Sequence, residues 1–166
     1  MVPNILLDLR RLFGSMPKIS RRVGKIFFSI MSSKLYRGTS TFSSNCVGNW
    51  DGKRFYRGTS TFSSDTLFSF DGKRIYRGTS TFSSDTLFSW DGKRLYNGTS
   101  TYSSDCVGNW DGKRFYRGTS TFSSDSLSSF EGKRVYRGTS TFSSDTMFTV
   151  DGMIPIAVIA AMVLNF

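Results

Sequence analysis

Acidic side chains return along this chain at intervals that could support carboxylate chemistry. Asp51, Asp71, Asp91, Asp111 and Asp151 are spaced by 20 residues or multiples of 20, with Glu131 in the same series. Asp65, Asp85, Asp105, Asp125 and Asp145 form a second series, opened by Asn45. Paired carboxylates can share general acid and base roles. A catalytic pair is expected once in a protein, however, whereas each of these acids recurs in every copy beside Gly or Ser, the composition of a turn. The chain has no His, so the commonest general base and metal ligand is missing. The many Ser and Thr residues have no activating partner in view. These residues point away from an enzyme and imply no cofactor.

The second recurring chemistry is cationic. Lys53/Arg54, Lys73/Arg74, Lys93/Arg94, Lys113/Arg114 and Lys133/Arg134 each follow an acid-Gly pair. Gathered on one rim, they would form a basic crown for anionic lipid, each charge contributing about 1 kcal/mol. As turn residues they also serve as solubilising charge. The net charge of +10 is unevenly spread: residues 1–35 hold seven Lys/Arg against Asp8 alone, a balance of +6. Within that arm Arg10, Arg11, Arg21, Arg22 and Lys25 are the candidate contacts for an anionic partner. Membrane lipid is the leading partner. Nucleic acid ranks below it, because no nucleic-acid module is recognisable. Cys46 and Cys106 occupy matching places and read as core-facing small residues in a reducing, intracellular setting.

The elements that position these groups come from an internal repeat. Tyr36-Arg-Gly-Thr-Ser-Thr-Phe-Ser-Ser-Asn and the ten residues after it return from Tyr56, Tyr76, Tyr96, Tyr116 and Tyr136. A fixed period of this length marks a repeat architecture. Asp-Gly between two apolar-aromatic runs, as in Leu67-Phe-Ser-Phe70 and Lys73-Arg-Ile-Tyr76, predicts a hairpin with a two-residue type I′ turn. The wider Gly-Thr-Ser-Thr-Phe-Ser-Ser-Asp connection turns the chain back, its closing acid bonding nearby backbone amides. Six such units predict an all-β fold, a closed antiparallel barrel of about twelve strands over residues 34–152.

Three columns predict the packing: Val47, Leu67, Leu87, Val107, Leu127, Met147; Trp50, Phe70, Trp90, Trp110, Phe130, Val150; and Leu35, Phe55, Ile75, Leu95, Phe115, Val135, each of the last followed by Tyr. Gly48 and Gly108 are expected to make room for Trp50 and Trp110, two residues on. The loop aromatics Phe42, Phe62, Phe82, Tyr102, Phe122 and Phe142 are expected to pack on the neighbouring unit rather than to enter a bilayer.

Residues 153–166 are apolar on every side. A barrel of this width needs a plug, so the segment is expected to thread it as a helix of about 21 Å. A tail anchor or a buried strand is the alternative. Residues 1–33 form the basic amphipathic arm, with a short helix over 5–13 and either strand or helix over 26–30. The arm is similar to an organelle transit peptide and lacks the h-region of a conventional secretory signal.

The repeated Asp-Gly-Lys-Arg-x-Tyr-Arg-Gly-Thr-Ser-Thr-Phe-Ser-Ser-Asp over residues 34–152 resembles the β-flower proteins, shallow symmetric barrels of hairpin petals without an assigned function. Twelve strands around an apolar helix also resemble the tubby-like fold, whose members bind phosphoinositides, which would imply lipid binding here. The MORN repeat is similar in rhythm but longer in period. A third functional class, a flat Thr array on an ice- or sugar-facing surface, would need an open stack rather than a ring.

Overall fold

The structure, a computed structural model, describes residues 32–165. The expectations for the arm, including residues 5–13, 26–30 and the contacts Arg10, Arg11, Arg21, Arg22 and Lys25, lie outside the described residues.

Among the described residues twelve strands alternate with two kinds of connection. They are β1 (Ser33–Arg37), β2 (Cys46–Trp50), β3 (Arg54–Arg57), β4 (Thr66–Phe70), β5 (Arg74–Arg77), β6 (Thr86–Trp90), β7 (Arg94–Asn97), β8 (Cys106–Trp110), β9 (Arg114–Arg117), β10 (Ser126–Glu131), β11 (Arg134–Arg137) and β12 (Thr146–Asp151). All neighbours are antiparallel, and the sheet closes into a barrel. At the seam β1 pairs with β12, with Leu35 opposite Val150 and Tyr36 opposite Thr149. The Thr149 hydroxyl adds a 2.7 Å bond to the Gly38 carbonyl across the same seam. Closure leaves no open edge for another chain to pair with.

The aliphatic column has a geometric origin. Within a repeat the ladder is regular, Trp50 facing Phe55 and Asn49 facing Tyr56. Between repeats it slips: Phe55 faces Phe68 and Tyr56 faces Thr66, so Leu67 is the extra residue of a bulge. The same slip recurs at every junction. A bulge bends its strand and increases the local twist. Six of them around the ring help curl a sheet of short strands shut. The carbonyl of each bulged residue accepts the amide of a glycine at the foot of the next wide connection, as in Gly78 N–H to Leu67 at 3.0 Å. That glycine stands at φ +55°, a left-handed conformation that side chains disfavour.

Leu35, Phe55, Ile75, Leu95, Phe115 and Val135 point inward and are fully buried, in one cluster with the C-terminal helix. That helix, α1 (Ile156–Leu164), is buried at seven consecutive residues, Ala157 to Val163. Seven in a row span two turns, so α1 is enclosed on all sides and fills the lumen. The tail-anchor reading falls on this burial. The helix is shorter than expected, because Met153–Pro155 serve as the link from β12 and nine residues are helical. Its length is therefore about 14 Å, comparable to the strands around it. At its far end Asn165 donates from its amide to the Met162 carbonyl and from Nδ2 to the Ala161 carbonyl, covering two orphan acceptors.

Gly48 and Gly108 make room for a different ring than expected. A Cβ on Gly48 would stand 2.2 Å from Phe55 Cε1, and one on Gly108 2.0 Å from Phe115 Cζ. The neighbour that needs the space lies across the hairpin, not two residues along the strand. Where the position holds Phe68, Phe88 or Phe148 instead, the hairpin partner shrinks to Ile75, Leu95 or, across the seam, Leu35. Phe55 in turn stacks on Phe68 of the next repeat, centroids 5.1 Å apart and planes at 8°.

Candidate functional site: the hairpin tips and the wide connections

The alternating connectivity puts all the tight turns at one end of the barrel and the wide connections at the other. Lys53, Arg54, Lys73, Arg74, Lys93, Arg94, Lys113, Arg114, Lys133 and Arg134 therefore share the end from which α1 enters. The lysines are exposed, while Arg54, Arg74, Arg94 and Arg114 are half-buried along the outer wall and Arg134 is exposed.

Each tip is built around its aspartate. Asp51 Oδ1 accepts the amides of Lys53 and Arg54 at 2.8 and 2.6 Å, and Oδ2 accepts the Tyr56 hydroxyl at 2.8 Å. Asp71, Asp91 and Asp111 repeat the arrangement with Tyr76, Tyr96 and Tyr116. The expected type I′ turn is not formed. Among the described residues none other than glycine has a positive φ, and Gly52 alone in its turn takes one, at +102°, whereas type I′ needs it at both central residues. The side chain of Asp51, rather than its backbone, accepts the Arg54 amide. The tip is also tied sideways, its Lys53 carbonyl accepting Phe70 N–H of the next repeat at 2.9 Å.

Burial alone would raise the Asp51 carboxyl, but the bonds from the Arg54 and Lys53 amides and the Tyr56 hydroxyl outweigh it and hold it below the ordinary range. The carboxyls of Asp71, Asp91 and Asp111 are held low in the same way. These carboxylates have their lone pairs occupied, as structural anchors require. The fifth tip departs from the pattern. Glu131 makes no bond to Tyr136, Gly132 has φ +58°, and Lys133 Nζ stands 3.8 Å from Asp151 Oδ1.

The tyrosine that follows the inner column is the residue whose role the repeat pattern concealed. It points outward yet is only 4–5% exposed, in the four copies bonded to a tip aspartate and in Tyr36 and Tyr136 alike. The one available signal was that Tyr persists in every copy while the residue before it varies among Leu, Phe, Ile and Val. Only the hydroxyl is common to that choice.

The wide connections fold back on the outer wall. Asn49 Nδ2 donates to the Ser60 carbonyl at 2.6 Å, and Ser69 Oγ donates to the Ser80 carbonyl at 2.9 Å. The closing acids accept serine hydroxyls rather than backbone amides: Asp65 from Ser60, Asp85 from Ser80, and likewise Asp105, Asp125 and Asp145. Cys46 and Cys106 are free and do not face the core. They lie on the tyrosine side of the sheet, where each thiol donates to the carbonyl of Gly58 or Gly118 at 3.3 Å. Burial raises both thiols above their ordinary value. Among the described residues no three His, Cys, Asp or Glu side chains come together as a metal-binding group.

The loop aromatics do not pack on the neighbouring unit. Phe42, Phe62, Phe82, Tyr102, Phe122 and Phe142 are each 72–77% exposed. The residues around them are small and hydroxylated, and each connection spends its hydrogen bonds on its own turn, so nothing adjacent is broad enough to cover a ring. Arg57, Arg77, Arg117 and Arg137 stand exposed at the feet of the same connections.

A closed ring of six hairpin units about a central helix defines a six-fold repeat barrel. The chain belongs to the 6-fold beta flower protein family, whose model matches residues 35–159. No curated protein and no solved structure matches it.

Proposed function

We propose that the protein is a non-enzymatic barrel that docks on an anionic membrane surface. The observation that carries this reading is the ring of six exposed aromatics on the wide connections. Large apolar groups repeated on one exposed surface commonly mark an interaction site, and aromatic rings beside cations suit the boundary between head groups and acyl chains. Arg57, Arg77, Arg117 and Arg137 are exposed cations at the same end of the barrel as the rings. The Lys/Arg pairs of the hairpin tips, at the opposite end, are the second candidate face. The non-enzymatic part rests on the absence of His and on acids whose oxygens are spent on turn bonds.

Co-sedimentation with vesicles tests the reading. Recovery is expected with phosphatidylserine-containing vesicles and not with phosphatidylcholine alone. Replacing the six loop aromatics with Ser should reduce it at least tenfold, while Lys→Gln at the five tips should have the smaller effect. The reverse order would move the contact to the tips, and no recovery with either lipid would end the proposal. Exposed rings beside arginines also suit stacked bases. Salt-sensitive retention on a single-stranded oligonucleotide, without vesicle binding, would favour that reading instead.

A further inference from the structure

The hairpin tips carry charge that their own turns leave free. At Asp51, Asp71, Asp91 and Asp111 the carboxylate oxygens accept two backbone amides and a tyrosine hydroxyl. Lys53, Lys73, Lys93 and Lys113 are exposed, and none has an acid within ion-pair distance among the described residues. Lys133 reaches Asp151 at 3.8 Å, a long, exposed contact of little strength that a competing anion can displace. Among the described residues the tip end holds eleven cations, Lys34 and the five Lys/Arg pairs, against six acids, the series from Asp51 to Asp151, an excess of +5.

The lysines form a broken crown. Neighbouring tips are two strands apart, about 10 Å along the rim. At the sixth corner Met153 takes the place of lysine, where the chain turns inward to α1. What the crown lacks narrows its partner. Among the described residues Met153 is the only large apolar side chain exposed at this end, since the six exposed rings lie at the other. No exposed ring is present to stack on the bases of a single strand, and no aromatic anchor is present for a protein partner. A rigid duplex would meet a circular rim at a few tips, whereas a flexible polyanion can follow it. Lysine binds phosphate as a point charge and needs no fixed geometry to do so.

We propose that the tip end binds linear polyphosphate, a flexible chain of phosphates laid along the rim from Lys53 to Lys133. This surface stands apart from the docking face above, because the aromatic rings are at the opposite end of the barrel.

Calorimetric titration of the full chain with long-chain linear polyphosphate tests the site. Saturable binding that weakens steeply with salt is expected, and orthophosphate at the same phosphate concentration should give none. Lys→Gln at Lys53, Lys73, Lys93 and Lys113 should weaken binding at least tenfold and flatten its salt dependence. Two further variants remove the same number of charges elsewhere: Arg→Gln at Arg57, Arg77, Arg117 and Arg137 at the wide end, and Arg→Gln at Arg10, Arg11, Arg21 and Arg22 in the arm. Both should bind nearly as the unaltered chain does. Should the fourfold lysine variant not fold, the single Lys→Gln variants, each expected to weaken binding by a similar step, carry the same test. No binding of polyphosphate, unchanged binding by a folded tip variant, or equal weakening by the wide-end or arm variant overturns the crown as the site. Tighter binding of a single-stranded or duplex oligonucleotide of equal charge overturns the choice of ligand. No vesicle is present and no aromatic ring is altered, so failure here leaves the docking reading untouched.

Discussion

Tyr56 donates its hydroxyl to Asp51 Oδ2 at 2.8 Å, and this bond joins the outer wall of the barrel to the hairpin tip above it. The bond links two titrations to the fold. The carboxyls of Asp51, Asp71, Asp91 and Asp111 are depressed in the folded protein. The stability they contribute is present above the unfolded value of about 3.9 and is lost as pH falls through their lower folded values. The hydroxyls of Tyr56 and Tyr96 are raised by burial and the aspartate bond, and that of Tyr76 by the aspartate bond and burial. Their contribution is full below about pH 10 and is lost as pH rises through the folded values. Urea midpoints measured across pH should fall at both ends. Tyr→Phe at positions 56, 76 and 96 should lower the plateau and flatten the alkaline limb; an unchanged alkaline limb would refute the assignment.

Gly48→Ala should destabilise the barrel by about 1–3 kcal/mol, the usual cost of overpacking a tight site. The obstacle is the Phe55 ring, so Phe55→Leu in the same chain should recover most of the loss. A double-mutant cycle in denaturant measures the coupling. Additive losses would show that the two positions do not share the space.

Removal of residues 153–166 empties the lumen. Seven buried residues of α1 leave, several of them worth roughly 1.5–3 kcal/mol each in burial. That loss is comparable to the whole stability of a domain. The truncated chain should aggregate or lack a cooperative melting transition by circular dichroism. A soluble, cooperatively melting product would show that the wall stands without its plug.

The seam can be trapped covalently. Lys34 and Asp151 are direct partners across β1 and β12. Cysteines at both positions, with Cys46→Ser and Cys106→Ser, should form an intramolecular disulfide, because partners across a ladder fall within the required Cα separation of about 7 Å. Electrophoresis without reductant should show a faster monomer. Dimers and higher bands alone would mean an open stack.

The ring, its strand count and its plug were legible because a 20-residue period states the same local structure six times, and an all-round apolar segment leaves little choice but enclosure. The tips were only half legible. Asp-Gly announces a hairpin, but it does not show that the aspartate side chain takes the Arg54 amide and the hydroxyl of a tyrosine five residues later. Gly48 was assigned to the wrong ring because a sequence gives spacing along a strand directly, whereas Phe55 reaches it across the hairpin. The exposure of Phe62 and its equivalents was missed for a simpler reason. Burial is the ordinary fate of Phe, and only the smallness of every nearby side chain argues otherwise.

The pairing of β1 with β12 also bears on how the barrel is made. Of the twelve strands, the first to leave the ribosome bonds to the last, and Thr149 reaches Gly38 over a separation of 111 residues. Until β12 emerges, the growing sheet has a free edge at each end, and near-identical hairpins offer that edge several wrong partners at almost the same energy. The lumen is meanwhile open to water, since α1 follows β12. Synthesis thus delivers the clasp and the filling together, after all the other strands, and a ribosome that stalls after the fifth petal releases an unclosed sheet with an apolar face.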